Sequence, residues 1–502
     1  MAKNGSFRDF IFREHRAQAL FIIGLLIYHF ILIRTFFPYV ITIGDGNYYL
    51  RAAINNTEIS VWPIGYSKLL AWIHAITKSD WAIFCFQYII LEGAVFYFYF
   101  TVCYLLRPGK WIRLLIIFCL LMNPFILCFT NYVLTDSLFA ALTVLWFTLT
   151  MWYLYKPRPI LVYTLVVLPF LLFTIRYYAM FYPLITVPII LFSKVHWRIK
   201  LSSLFLGSLL FLAFIRYTEN LFFKKIGQRE FSPFSGWQLA ANALIMYRHI
   251  PDREADACPP ELQPLHQVVL QNLKEMPSPD AYPDNKLQIY FTWNVRSPLL
   301  QYSHVYFGDD ATSEDLKNWA SMGRLYHDYG AFLIRRHPVA FVRYYVVQGI
   351  DWFINPKVDL PNVYPEGGIK IFDRVKDWFG YKSNWLKCTT GNMYSIAYFP
   401  VIINLFNLLL ILGIFGFFYC ECHKASSAIF NKAVALVAAY WLANFLFIII
   451  TAPFVLRYSL SVMILNIVFV PVILERIYLS AKKLQNSSFT SAPASPPTLL
   501  AK

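Results

Sequence analysis

The chain has 502 residues, of which 58% are hydrophobic and only 14% are charged. A water-soluble core cannot enclose that much apolar surface, so lipid must form part of the solvent. The formal net charge is +16. Because the basic residues are spread over short connections between apolar runs, they do not predict a nucleic-acid partner.

Ten apolar runs succeed one another along the chain. A run of about 18 to 25 residues can cross a hydrocarbon layer of roughly 30 Å at about 1.5 Å per residue. We therefore predict an all-α polytopic membrane protein with about ten transmembrane helices. Arg13 and Arg16 precede the first run, which is too long for a cleaved leader and lacks its cleavage pattern, so a retained helix is expected. The runs cover residues 17–38, 81–105, 112–129, 135–155, 160–175, 178–193, 199–217, 396–420, 428–450 and 454–474.

Lysine and arginine cluster in alternate connections between these runs. Such clusters are retained on the cytoplasmic side, which predicts that both chain ends lie inside. The prediction places the remaining connections outside, at residues 39–80, 130–134, around Arg176, 218–395 and before Arg457.

Composition divides the chain into four parts. Residues 1–217 form the first transmembrane module, with an outer loop at 39–80, and residues 396–474 form the last helices. Residues 218–395, rich in Pro, Asp, Lys and Trp, predict an extracytoplasmic, mainly helical soluble domain between helices seven and eight. Helical spacing of Trp319, Tyr326 and Tyr345 there is typical of an internal core. Residues 475–502 end in a Ser/Pro-rich stretch, which is typical of a disordered cytoplasmic tail.

Two of the eight cysteines, Cys258 and Cys388, fall in this predicted domain. In an oxidising compartment they could form one disulfide, and two free thiols are the equal alternative. The other six lie in or beside apolar runs, where thiols pack as small hydrophobes. No pattern of Cys or His at metal-binding spacing occurs.

Four ionisable residues are predicted at the outer membrane face: Asp45, Asp136, Arg176 and Arg457. Each has an explanation without chemistry. Asp136 suits a helix start, Asp45 a glycine-rich turn, and the two arginines a position among lipid head groups. Their common side instead favours a pocket for an anionic lipid head group, with an acid placed for proton transfer.

Short motifs around these residues resemble the GT-C superfamily of polytopic glycosyltransferases, which use polyprenyl-phosphate sugars. Relatives include protein O-mannosyltransferases and the lipid A aminoarabinose transferase. The stretches GDGNYYLRAA around Asp45, WPIGYSKLLAWI from Trp62 and LTDSLFAAL around Asp136 carry the resemblance. It covers roughly residues 17–217, and the order and sidedness of its motifs agree with the family.

The resemblance implies transfer of a sugar from a polyprenyl-phosphate donor to a lipid, glycan or protein acceptor at the outer membrane face. Asp45 is then the general base, and Asp136 the second acid. Arg176 and Arg457 are expected to bind the donor phosphate. Four tyrosines are expected to line the sugar pocket, although aromatic residues also form belts at membrane interfaces. They are Tyr48, Tyr49, Tyr177 and Tyr178.

The chain departs from the family pattern in one respect, because Gly46 and Asn47 stand where a second carboxylate would follow Asp45. A divalent metal ion, which some relatives use, is therefore left open, and no metal ligand is assigned. The aromatic and amide-rich stretch from Glu230 to His249 either binds the acceptor or packs in the domain core.

Two other functions remain open. An O-antigen ligase or polymerase also has a large outer loop, and Arg324 with His327 would be its reactive pair. A transporter would line a path through the bilayer with charge, whereas the charges here gather at one face. A bacterial inner membrane with a periplasmic active site is the expected location.

Overall fold

The computed structural model describes residues 6–42, 44–251, 253, 257–276, 287–308, 316–355, 368–387, 399–451 and 456–490. Over these ranges the chain is almost entirely helical. The two strands within them, β1 (Ile369–Lys370) and β2 (Trp385–Leu386), pair antiparallel with Ile369 opposite Leu386. The predicted all-α polytopic membrane class is confirmed.

The first part of the chain forms a bundle of apolar helices. A short π-helix, Phe10–Glu14, joins α1 to α2, and a 3-10 turn, Tyr177–Phe181, joins α9 to α10. The helices are α1 (Phe7–Asp9), α2 (Arg16–Phe36), α3 (Asp45–Ile54), α4 (Gly65–Ile76), α5 (Asp80–Leu106), α6 (Lys110–Leu121), α7 (Pro124–Phe129), α8 (Thr135–Tyr155), α9 (Pro159–Ile175), α10 (Tyr182–Leu191) and α11 (Trp197–Ile226).

The middle of the chain, between α11 and α21, is called here the inserted region. Its helices are α12 (Phe234–Tyr247), α13 (Gln263–Glu275), α14 (Leu287–Trp293), α15 (Pro298–Phe307), α16 (Leu316–Ser321), α17 (Gly323–Arg336), α18 (Pro338–Phe341), α19 (Val347–Ile354) and α20 (Asp373–Phe379). A π-helix, Val342–Val346, joins α18 to α19. The chain returns to the bundle with α21 (Phe399–Tyr419), α22 (Ala428–Thr451), a 3-10 turn (Leu456–Ser459) and α23 (Leu460–Thr490).

Eight segments within the described residues are long and apolar enough to cross a membrane. The fifth and sixth predicted spans correspond to shorter helices, of 17 residues in α9 and 10 residues in α10. A proline lies inside each of them, at Pro169 and Pro188. The all-helical membrane bundle therefore agrees with the prediction, while the count of ten spans stays a prediction.

The centre of the bundle is formed by α5, α8 and α23. Phe98, Phe147 and Phe469 come one from each helix, and their ring centroids lie 5.6 to 6.2 Å apart. All three side chains are fully buried. In contrast, α11 lies at the periphery and continues to Ile226, past the end predicted for the seventh run.

The inserted region has a second hydrophobic core, which includes the predicted core residues Trp319, Tyr326 and Tyr345. Its two main helices, α12 and α17, cross at glycines. A Cβ atom on Gly236 would collide with the Gly323 carbonyl, and one on Gly330 would lie 2.8 Å from the Ala240 nitrogen. Only glycine permits such a close approach of two backbones.

Three predictions fall on parts that the structure does not describe. Cys388 lies outside the described residues, so the predicted pairing with Cys258 stays a prediction. The end of the chain from residue 491 is also outside them. The C-terminal boundary of the predicted soluble domain, residue 395, falls in the same category.

Candidate active site

The four charged residues singled out from the sequence meet at one end of the bundle, called here the site end, where α2 and α9 end and α8 begins. Arg457 donates to the Asp45 carboxylate through Nη2, and its Nη1 lies 3.9 Å from Asp136 Oδ2. Nη2 of Arg176 lies 2.7 Å from Asp136 Oδ1. Two acids and two guanidinium groups therefore form one connected, charge-balanced cluster.

Exposure separates the members of this cluster. The Asp136 side chain is 0% exposed and that of Arg176 10%, whereas Arg457 is 19% and Asp45 22% exposed. Asp136 thus lies behind both arginines as their shared counter-ion. Asp45 and Arg457 are the pair that a ligand can reach.

Backbone pairing positions the two acids. The segment after α2 meets the segment before α8, since Ile41 N–H donates to the Asn131 carbonyl and Val133 N–H to the Ile41 carbonyl, both at 2.9 Å. Gly44 then turns with φ +48°, and α3 begins at Asp45. Gly46 lies against this pairing, because an added Cβ would be 2.7 Å from the Val133 carbonyl oxygen.

A buried ion pair beneath this pairing was missed by sequence reasoning. Arg34 at the end of α2 lies 3.0 Å from Asp80 at the start of α5. Asp80 also accepts from Val40 N–H, and Arg34 donates to the Asn131 side chain. The available signal was a charged residue at the same end of each of two apolar runs. We call Arg34, Asp80 and Asn131 the clamp.

A second set of hydrogen bonds holds the segment that leads to α8. Gln87 of α5 donates to the carbonyls of Thr130 at 2.9 Å and Tyr132 at 2.8 Å. Its oxygen accepts from the Tyr66 hydroxyl at 2.7 Å. All of these groups are buried, so the loop before Asp136 has little freedom to move.

Aromatic rings flank the two arginines. The Tyr458 ring centroid lies 4.9 Å from the Arg176 guanidinium carbon and 5.2 Å from that of Arg457. Arg176 Nε also donates to Thr135 Oγ1 at 2.7 Å. Cation–π contact and this hydrogen bond fix the planes of both guanidinium groups without consuming all of their donors.

The four tyrosines predicted for a sugar pocket all line one cavity beside the cluster: Tyr48, Tyr49, Tyr177 and Tyr178. Tyr49 is the most informative of them. Burial, and next the Asp45 carboxylate, raise the pKa of the Tyr49 hydroxyl, so that this group stays protonated and can donate.

The cavity has a volume of about 1100 Å³. Its volume exceeds the upper end of about 300 to 1000 Å³ that is usual for small-molecule sites. Asp45, Arg176 and Arg457 line one wall. Apolar side chains of the membrane helices, including Phe173, Ile215, Phe447 and Ile448, line the side towards the bundle.

The wall formed by the inserted region is called here the far wall. It contains Glu230, Phe234, Gln238, Trp293, Arg324, His327 and Asp328. Thus the stretch from Glu230, for which acceptor binding was one of two predictions, contributes side chains to the cavity. Arg324 and His327, the pair of the alternative enzyme, line it as well.

Glu230 differs from the acids of the cluster. Burial raises the pKa of its carboxyl group, against opposing effects of Arg324 and His327. Its Oε1 atom is buried and has no hydrogen-bond partner within the described ranges. Its other oxygen lies towards Gly323, where a Cβ atom would be 2.6 Å away. A carboxyl group held in this way is available to a ligand.

No group of three or more His, Cys, Asp and Glu side chains that could hold a metal ion occurs among the residues that the structure describes. The two carboxylates of the cluster, Asp45 and Asp136, are both paired with arginine. The arrangement suits recognition of an anion, since guanidinium groups bind phosphate in a bidentate manner.

Comparisons with known proteins return no relative. No family model matches the chain, and neither a curated protein nor a solved structure matches it.

Proposed function

We propose that this polytopic membrane protein is a glycosyltransferase that moves a sugar from a polyprenyl-phosphate donor to an acceptor. The main support for the proposal is the contact of Arg457 with both Asp45 and Asp136. Asp45 and Arg457 line a large cavity at the end of the membrane bundle. The resemblance of the motifs around Asp45 and Asp136 to the GT-C superfamily adds support.

The cavity suits a ligand that is part lipid and part sugar. Phe173, Ile215 and Phe447, from three membrane helices, offer an apolar side for the polyprenyl chain. The phosphate of such a donor would reach the accessible Arg457 guanidinium, with Arg176 beside it. Planar guanidinium groups stabilise the charge that develops on a leaving phosphate.

The proposed reaction is a direct displacement. The acceptor hydroxyl oxygen forms a bond to the anomeric carbon, and the bond from that carbon to the phosphate oxygen breaks. The proton of the hydroxyl passes to Asp45, and the electron pair of the broken bond leaves with the polyprenyl phosphate. General-base assistance of this kind contributes about 10²- to 10⁴-fold to the rate.

The ion pair between Asp45 and Arg457 implies that the donor binds before Asp45 acts as the base. Arg457 Nη2 donates to one oxygen of the Asp45 carboxylate, so that oxygen is occupied before a donor binds. Donor phosphate competes for Arg457, and so releases Asp45 to accept a proton. Asp136, which is fully buried, keeps both arginines in place during the exchange.

The side chains of the cluster do not fit a tightly bound divalent ion. Both carboxylates are paired with guanidinium groups, and these positive groups would repel the ion. No step is therefore assigned to a metal.

We further propose that the enzyme has ten spans and a soluble domain between helices seven and eight. Its location is a bacterial inner membrane with a periplasmic active site, and its acceptor is a lipid, a glycan or a protein.

The decisive test compares cells that lack the protein with cells that carry variants of it. Mass spectrometry of glycolipids and glycoproteins should reveal one sugar that is missing without the protein. Asp45→Asn should restore no more than about one hundredth of that sugar at normal protein level, given the rate contribution of a general base. Asp351→Asn, an exposed site outside the cavity, is the matched control.

Full restoration by Asp45→Asn would exclude Asp45 as the base. A second candidate, an O-antigen ligase-like enzyme, is favoured by the position of Arg324 and His327 in the same cavity. It predicts the reverse pattern, in which His327→Ala abolishes transfer and Asp45→Asn retains it.

A further inference from the structure

The far wall of the cavity combines two kinds of side chain, aromatic rings and polar groups. Half-buried aromatic rings lie beside carboxyl and amide groups, all facing one space. None of these groups has a role in the proposed chemistry at Arg457 and Asp45. The far wall is also built by different helices, from the inserted region, so it is a separate feature of the same cavity.

Aromatic residues from the segment around α3 and α4 and from the inserted region are packed together at this wall. The Phe234 and Trp293 rings are 5.8 Å apart and nearly parallel, and the Trp62 ring is 4.7 Å from Phe234. Tyr48, three residues after Asp45, lies 5.8 Å from Trp293. The aromatic surface therefore runs from the far wall towards the reactive acid.

Polar groups accompany these rings. The Trp62 Nε1 donor and the Glu230 Oε1 acceptor are both buried and lack partners within the described ranges. The Gln238 side-chain nitrogen donates to Asn242 at 2.9 Å, which fixes the amide. Asp328 lies further out, 3.3 Å from His327. The far wall and Trp62 thus offer hydrogen-bond acceptors and a donor around an aromatic surface.

This combination matches one class of ligand. One face of a sugar ring presents C–H groups that pack on aromatic rings, and its edge carries hydroxyls that donate to carboxylate and amide oxygens. An extended peptide would need an exposed strand edge or a run of side-chain pockets. The cavity is lined by helices and loops over the described residues, and neither β1 nor β2 contributes to it.

We infer that the far wall, together with Trp62, is the acceptor subsite. The acceptor is a carbohydrate whose ring packs on Trp62, Phe234 and Trp293 and is hydrogen-bonded by Glu230 and Gln238. This inference rests on the proposed function, which names the reaction but leaves the acceptor open. The sugar is either a free glycan or the head group of a glycolipid, because both present the same ring and hydroxyls.

The test uses the purified full chain in detergent and an array. The array carries free mono- to tetrasaccharides, glycolipids with the same head groups, and acetylated Ser/Thr hexapeptides. Binding to a subset of the sugars is expected. Comparing the binding of a glycolipid with that of the free glycan of the same structure shows which of the two is the acceptor. Glu230→Gln and Trp293→Ala should each weaken that binding at least tenfold. Glu275→Gln and Trp385→Ala, which lie outside the cavity, are the matched controls.

Polyprenyl phosphate binding, measured on the same samples, separates this inference from the proposed function. Glu230→Gln should leave polyprenyl phosphate binding unchanged, which also shows that the variant is folded, whereas Arg457→Lys should weaken it and spare glycan binding. Binding only to peptides, binding to no sugar, or unaltered glycan binding in Glu230→Gln overturns the acceptor subsite. Unaltered polyprenyl phosphate binding in Arg457→Lys overturns the donor role alone.

Discussion

Two acids of the cluster have the same chemistry but different surroundings. Asp45 reaches the cavity and pairs with one arginine, whereas Asp136 is fully buried and lies between two. Removing one partner of a buried ion pair leaves a charge without compensation, which costs about 3 to 5 kcal/mol. The two acids should therefore respond differently to the same substitution.

We expect Asp136→Asn to lower the free energy of unfolding by about 3 to 5 kcal/mol, since Arg176 would lose its carboxylate partner. Thermal unfolding of the purified protein in one detergent measures the change. Asp45→Asn should stay within about 1 kcal/mol of the unchanged protein, as is usual for a partly exposed ion pair. Equal loss of stability in both variants would contradict the division of roles.

Gly46→Ala tests the close approach of α3 to the loop before α8. The new methyl group would lie 2.7 Å from a backbone oxygen, so the Asp45 turn must shift at a cost of about 1 to 3 kcal/mol. Activity should fall together with stability. Gly93→Ala is the matched control, because no heavy atom lies within 4 Å of the added Cβ, and alanine should stabilise that helix by up to about 1 kcal/mol.

At the scale of elements, the clamp connects three parts of the bundle. Arg34 lies in the last turn of α2, Asp80 begins α5, and Asn131 belongs to the segment that pairs with Ile41. Because that pairing holds both acids and no residue of the clamp lines the cavity, the clamp is a positioning device. A substitution in the clamp should therefore lower activity only to the extent that it displaces the backbone that holds Asp45 and Asp136.

Asp80→Asn should cost about 3 to 5 kcal/mol of stability, since Arg34 is buried and would keep an unpaired charge. The double variant Arg34→Gln, Asp80→Asn removes both charges and should recover part of that loss. Unfolding of the single and double variants gives the coupling between them. A double variant that loses the sum of the two single losses would show that the pair is not a unit.

Sequence patterns predicted the elements better than the contacts between them. Apolar run length identified the eight long membrane segments, and helical spacing identified Trp319 and Tyr326 as core. The clamp escaped detection, because Arg34 and Asp80 belong to different runs. Their pairing depends on how α2 and α5 pack, and no local pattern records that. The short length of α9 and α10 likewise leaves the count of ten spans a prediction.

At the scale of the whole molecule, the membrane orientation can be tested directly. Single cysteines are introduced at exposed positions of a chain whose eight native cysteines are replaced. A membrane-impermeant maleimide on intact cells should label Lys78→Cys and Val295→Cys, near the site end. It should not label Lys110→Cys, Lys156→Cys, Lys194→Cys or Lys424→Cys, because the basic connections are predicted inside.

Labelling at Lys156→Cys or Lys194→Cys alone would show that α9 and α10 do not both cross, and would reduce the count of spans. The reverse pattern at every position would place the cavity in the cytoplasm. Either result leaves the fold unchanged. The second one removes the periplasmic location from the proposed function.

By itself, the sequence determined what each segment is: apolar runs long enough for a bilayer, basic connections at alternate ends, and a polar region inserted before the last helices. These properties are local, since hydrogen bonding within a helix and transfer into lipid depend on residues close in the chain. The tertiary structure alone decided that Arg457 meets Asp45, and that Glu230 and Trp293 face the same cavity. Contacts between residues far apart in the chain are set by the packing of whole helices, which no segment specifies alone.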